Sequence, residues 1–160
     1  MILGPTPTAL PARAHRVAVV STDRRTWSVT ALRAFPAVER SCSVSCASGE
    51  RTTGRWTGVP VADLLSRVAA PDGTTHLRVD GGDGHRACIP VAAALDGLVA
   101  YARDGVALTR TGPYATRFVA PGIDGARLVK NPRRIETLAL APDEDPERIE
   151  RLTLDDPESA

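Results

Sequence analysis

Apolar and polar positions alternate along this chain in short runs. Residues 15–21 (HRVAVVS) form a brief β-run. Residues 26–29 form a second, which passes into a short helix over 30–34 that must end ahead of Pro36. Between positions 41 and 46 the period is two. Cys42, Val44 and Cys46 fall on one face and Ser41, Ser43 and Ser45 on the other, the pattern of a strand with one buried face. A turn is expected over 47–54. Pro60 then opens a helix that reaches about position 70, with Val61, Leu64, Leu65 and Val68 on one side. Strands at 76–79 and 85–89 return on each other across a Gly-Gly-Asp-Gly turn, and an Ala-rich helix follows at 90–95. Residues 98–102 and 106–108 flank Asp104-Gly105, a strong hairpin dipeptide. Strands at 116–120 and 133–140 complete the series. No internal repeat occurs. Many short strands with helices inserted at irregular intervals predict an α+β fold, a mixed β-sheet with short helices, in preference to a regular parallel βαβ sheet.

Length and charge add a domain layout. At 160 residues the chain is one domain by size. Residues 1–12, with Pro5, Pro7 and Pro11, read as a flexible arm, and 13–140 as the folded body. Residues 141–160 carry eight acids and two arginines and read as an acidic tail. Such a segment buries little surface, so it is expected to be dispensable for folding, although 147–154 has the pattern of a brief helix or strand. The tail's −6 leaves +7 on the rest of the chain, a balance suited to an anionic ligand or simply to a solvated basic surface. Nineteen of the twenty basic residues are arginine; Lys130 is the one lysine. No apolar run is long enough to span a bilayer, and the prolines interrupt anything like a signal peptide. Three cysteines are too few for a secreted disulfide scaffold. A cytoplasmic protein is expected. Nucleic-acid binding is not, because aromatic residues make up only 4% and none is patterned with the arginines.

The cysteines carry the first chemical question. In a strand, positions 42 and 46 stand about 13 Å apart, too far for a disulfide or a shared metal. No spacing of a structural zinc site is present. Cys42 reads as core filler. Cys46, at the strand's end and near Arg51 and Arg55, is open to two readings: another buried thiol, or a thiolate that reacts or ligates.

Several motifs, taken in order, resemble a known family. Cys46-Ala-Ser-Gly followed by Trp56-Thr-Gly-Val-Pro-Val-Ala-Asp-Leu-Leu65 resembles the cysteine-to-"W-x-G-V-P-L-x-D-L-L" segment of the molybdopterin-binding domain of the sulfite oxidase family. DGHRACIPVAAAL (83–95) is similar to its "D-G-Y…I-P-L…A-L" stretch. Residues 98–136 follow, without gaps, a pattern that includes "H-G-x-P-x-R-x-V-V-P-G-x-x-G-x-x-x-V-K-W". The likeness covers roughly positions 15–140.

The resemblance implies a small domain of that fold with molybdenum-molybdopterin as cofactor. Cys46 takes the place of the thiolate that ligates molybdenum, a soft ligand for that metal. Arg117 and Lys130 take the places of cationic contacts to the pterin or its phosphate. Arg51, five residues past Cys46, matches an arginine that would hold an oxyanion substrate. His85 replaces a pocket tyrosine and could donate a hydrogen bond or proton. Gly112-Pro113 stands where the family has His-Gly, and Asn131 where it has tryptophan. The activity implied is oxygen-atom transfer on a small anionic or sulfoxide-type substrate, with electrons exchanged with a separate electron-transfer protein. The alternative is a non-catalytic module that binds cofactor or another anion without turnover.

Overall fold

A computed structural model describes residues 15–45 and 51–153, and only the backbone of Ser45 and Arg51. Two five-stranded sheets share one core. The strands are β1 (Arg16–Val20), β2 (Arg24–Ser28), β3 (Val38–Ser45), β4 (Arg51–Pro60), β5 (His76–Gly81), β6 (Arg86–Pro90), β7 (Leu98–Arg103), β8 (Val106–Ala107), β9 (Arg117–Val119) and β10 (Pro132–Leu138). Among the described residues four α-helices of at most six residues join them: α1 (Val29–Arg33), α2 (Val61–Ser66), α3 (Val91–Ala94) and α4 (Leu108–Thr111). The first sheet runs β2-β1-β10-β5-β6. The second runs β3-β4-β7-β8, with β9 also paired to β7. Only β1 and β10 pair in parallel among the described strands, so the sheet is mixed, as the alternating pattern predicts.

Alternation sets which residues go inside. Leu77 and Val79 of β5 are fully buried while His76, Arg78 and Asp80 are not. Cys42 and Val44 are buried on β3 between exposed Ser41 and Ser43. Val17, Val19, Ile89 and Ile135 of the first sheet and Trp56, Val59, Val99 and Phe118 of the second belong to one cluster. Fully burying each such large side chain contributes roughly 1.5–3 kcal/mol. Ser28 caps α1, its hydroxyl accepting from the N–H of Ala31 at 3.1 Å. Asp104 and Gly105 both take positive φ, +52° and +80°, as a tight hairpin between β7 and β8 requires.

Three expectations need correction. The turn expected over 47–54 gives way from Arg51 onward to the long strand β4. Gly54 falls in that expected turn, but it and Gly58 are sites of close approach within β4. A Cβ at Gly58 would run into the carbonyl of Val99, and one at Gly54 into the Arg103 side chain lying across it. The helix from Pro60 ends at Ser66, shorter than predicted. The acidic segment is also more firmly tied to the body than its composition suggests. Arg151 exchanges both backbone hydrogen bonds with Arg86 at 2.9 Å, extending the edge at β6. Glu150, its side chain 5% exposed, accepts two hydrogen bonds from Arg127 at 2.7 Å and one from the Cys88 N–H at 2.9 Å. Leu152 packs on the core.

Candidate functional site

β9 and the segment after it bring two distant cations together. Arg117 and Lys130 face each other in an antiparallel bridge. Phe118 donates to the carbonyl of Val129 at 2.9 Å, which fixes the register. Asn131 sits at φ +48°, a conformation asparagine tolerates better than most residues. Its Oδ1 accepts from the N–H of Ala115 at 2.9 Å, and its own N–H donates to the Thr116 carbonyl at 2.9 Å. Asn131 therefore pins the loop before Arg117 onto the strand after Lys130.

Arg117 is 7% exposed. Its Nε donates to the Leu128 carbonyl at 2.9 Å, and its guanidinium lies 6.0 Å from the centre of the Tyr114 ring. The Lys130 ammonium lies 5.7 Å from the same ring. No carboxylate pairs with Lys130 among the described residues. Both cations, with Asp83 and His85, line a cavity of about 100 Å³ together with Gly125, Ala126, Leu128 and Val129. A larger cavity of about 440 Å³ is bordered by Cys42 of β3 and the loop 121–124. Arg117 connects the two regions, since its charge acts on the Cys42 thiol.

Cys42 is a buried thiol that donates to the Ala120 carbonyl at 3.4 Å. Burial pushes it above the ordinary range, outweighing the charge of Arg117. Cys88 is pushed up to about 11, by burial first and by the Glu150 carboxylate second. Both are free, protonated and buried, which accords with the core-filler reading of Cys42.

His85 is placed at the small cavity, but not as an available catalyst. Its Nδ1 accepts from the N–H of Thr153 at 3.1 Å and faces that residue's hydroxyl at 2.7 Å. This pattern assigns the proton to Nε2, which donates to the Ala126 carbonyl at 2.6 Å. With both nitrogens engaged, the proton-donating role expected of it does not suit this arrangement. The ring ties the acidic segment and the 125–127 turn to the β5–β6 connection. Arg51 opens β4 opposite Ser45, and its side chain lies outside the described residues, as does Cys46.

Sequence reasoning passed over Tyr114 and His15. Tyr114 is one of only two tyrosines, and its place three positions before Arg117 was the available signal. His15 places Nε2 2.7 Å from the hydroxyl of Thr116, next to Arg117. Burial, and secondarily the charge of Arg133, hold its ring below the usual pKa of 6.5. Between that lowered value and 6.5 the unfolded chain binds the proton and the folded one does not, so stability rises with pH through this window and is lost on acidification. Urea unfolding at pH 7.5 and 5.5 should therefore show a smaller acid loss for His15→Gln than for the unaltered chain.

Two sheets on one core, a buried arginine and a lysine without a carboxylate partner among the described residues at one cavity, and a strand leading to a motif cysteine define a domain suited to an anionic cofactor. Residues 3–144 match the family described as the oxidoreductase molybdopterin binding domain, and the chain belongs to that family, the family of sulfite oxidase. It is 31% identical to a sulfite oxidase of Gallus gallus over 179 residues, covering 90% of this chain and 38% of that protein. Against the mitochondrial sulfite oxidase of Homo sapiens the identity is 28% over 149 residues, covering 74% and 27%. The chain thus spans less than half the length of these relatives. The fold is also that of the sulfane dehydrogenase SoxCD from Paracoccus pantotrophus, with a TM-score of 0.73 at 20% identity, covering 83% of this chain and 40% of that one.

Family membership implies molybdenum-molybdopterin as the cofactor. The donor set fits its anionic end. Lys130 has an ammonium uncommitted to any described carboxylate, and Arg117 is buried beside it. The 100 Å³ between them suits a terminal phosphate-sized group and is too small for a whole pterin. No cluster of three or more His, Cys, Asp or Glu side chains able to hold a metal occurs among the described residues. None of the described helices is long and apolar enough to cross a membrane.

Proposed function

We propose that this chain is the cofactor-bearing domain of a molybdenum oxidoreductase that transfers an oxygen atom to or from a small oxyanion or sulfoxide-type substrate. The observation that carries the reading is the convergence of Arg117 and Lys130, thirteen positions apart, on one cavity, with the charge of Arg117 reaching Cys42 on the strand that leads to Cys46. In this reading the Cys46 thiolate is the protein's ligand to molybdenum, and Lys130 and Arg117 hold the anionic end of the pterin. Arg51 holds the substrate oxyanion. The bound cofactor supplies two-electron oxygen-transfer chemistry; the residues here bind, orient and neutralise charge. For a sulfite-type substrate, water provides the oxygen, and two electrons and two protons leave, the electrons to a separate electron-transfer protein. We place the protein in the cytoplasm, and the body of the domain extends past 140 to include the segment that pairs Arg151 with Arg86.

The occupied ring of His85 favours a second reading, a module that binds the cofactor without turnover. Sulfite-dependent reduction of an artificial acceptor by cofactor-loaded protein separates the two. Turnover that disappears in Arg51→Gln while bound molybdenum stays level supports the enzyme; loaded protein inert toward sulfite, nitrate and sulfoxides alike supports the module.

Lys130→Gln is the cleaner probe of the cofactor contact. Its loss should weaken cofactor binding by about 1.5–3 kcal/mol, the scale of a hydrogen bond to a charged group. The melting temperature of cofactor-free protein should hardly change. Arg117→Gln should lower both, because Arg117 is buried and bonded to the Leu128 carbonyl.

A further inference from the structure

A third cavity, of about 410 Å³, lies away from His85, Lys130 and Cys42. Its volume falls within the roughly 300–1,000 Å³ of small-molecule sites. Its polar side chains are those of Arg16, Arg33, Ser28, Thr30, Thr109 and Tyr101. No carboxylate lines it among the described residues. Among the described residues neither Arg16 nor Arg33 has an acidic partner within ion-pair distance, whereas Arg55, Arg78, Arg86, Arg127 and Arg134 all do.

We propose that this cavity binds a phosphate monoester of a small organic molecule, with Arg16 and Arg33 as the cations that hold the phosphate. The two guanidinium groups come from different elements, Arg16 from the start of β1 and Arg33 from the last turn of α1. β1 pairs Arg16 directly with Ser28, so the β1–β2 pairing places the cap of α1 next to that arginine. Arg33 is held in place by its stacking 4.5 Å above the ring of Tyr101, itself 5% exposed on the central strand β7. A guanidinium fixed this way presents its fork of N–H donors with less entropy to lose on binding an oxyanion. The hydroxyl of Ser28 accepts from Ala31 N–H and so keeps its own proton to donate outward. Thr30 and Thr109 add two more hydroxyls. A cleft lined by one sign of charge concentrates anions. Val29, Ala115 and the ring of Tyr101 give it an apolar wall, which a bare inorganic ion would leave unused and an organic phosphate would cover. Ala115 stands two positions before Arg117, on the loop pinned by Asn131, so the proposed site adjoins the cofactor contacts without sharing Arg117 or Lys130.

The test is a calorimetric titration of the full chain with phenyl phosphate and, in parallel, with inorganic phosphate. The expected result is saturable binding of phenyl phosphate, at least fivefold tighter than inorganic phosphate. Arg16→Gln and Arg33→Gln should each weaken it at least tenfold, and Lys130→Gln should leave it within twofold. Arg16 and Arg33 are exposed, so both variants should fold; a melting temperature equal to that of the unaltered chain confirms it. Equal affinity for the two probes would overturn the organic part of the proposal. Binding lost in Lys130→Gln but kept in the arginine variants would assign the phosphate to the cofactor cavity and overturn the site. No saturable binding by the unaltered chain would overturn it outright.

Discussion

Replacing Cys46 by serine is expected to strip the protein of molybdenum and of all cofactor-dependent activity, while Cys42→Ser and Cys88→Ser keep both. The contrast rests on environment. Cys42 and Cys88 are buried thiols whose deprotonation is disfavoured, Cys88 up to about 11. A buried thiol whose deprotonation is disfavoured reacts slowly with an alkylating agent and gives up its proton to a metal at a cost. Cys46 continues the face of Cys42 and Val44 in the sequence pattern and stands at the motif position. Serine offers a hard, neutral oxygen in place of a soft thiolate. Metal analysis of the three variants reads the result directly. Iodoacetamide labelling of cofactor-free protein at pH 8 gives a second readout, with Cys46 expected to react first and the other two only on unfolding. Full molybdenum in Cys46→Ser would remove this residue from the site.

The second large effect is expected far from the cofactor. Glu150→Ala should destabilise the protein by about 2–4 kcal/mol, and truncation after Ala141 by at least as much. Removing one partner of a buried ion pair costs roughly 3–5 kcal/mol; the Arg127 side chain is 27% exposed, so water recovers part of that. Glu150→Ala also leaves the Cys88 N–H without its acceptor. Truncation further removes the Arg86–Arg151 pairing, the packing of Leu152 and the contacts of Thr153 with His85. Denaturant unfolding would measure both. A truncated chain as stable as the full one would show that residues 141–153 only rest on the body.

How legible these features were in the sequence depended on the distance over which each is determined. The β-runs at β1, β5, β6, β7 and β10 are set by local alternation and were readable. So was the Asp104-Gly105 hairpin, because positive φ is a local demand with few residues to meet it. β4 was not, since Gly54 and Gly58 look like punctuation until Arg103 and Val99 are seen pressing against them. The acidic segment misled for a related reason. Eight acids in twenty residues describe a solvated tail, and nothing local tells Glu150, which is buried against Arg127, from Glu147, which is not. At the site, the motif positions of Arg117 and Lys130 pointed to one place, and the fold brings them to one cavity. The state of His85 depends on Thr153 and Ala126, which are 68 and 41 positions away. No motif conveys that. Asn131 was visible only as a missing tryptophan, yet its side chain fastens the Arg117 loop.

The central claim is that these residues hold molybdenum-molybdopterin. The direct measurement is the molybdenum and pterin content of the purified chain, made in a host that synthesises molybdopterin and in one blocked in that synthesis. The account predicts equimolar molybdenum, pterin and protein from the first host, neither cofactor component from the second, and folded protein from both. Folded protein from the competent host carrying neither molybdenum nor pterin above background would contradict it.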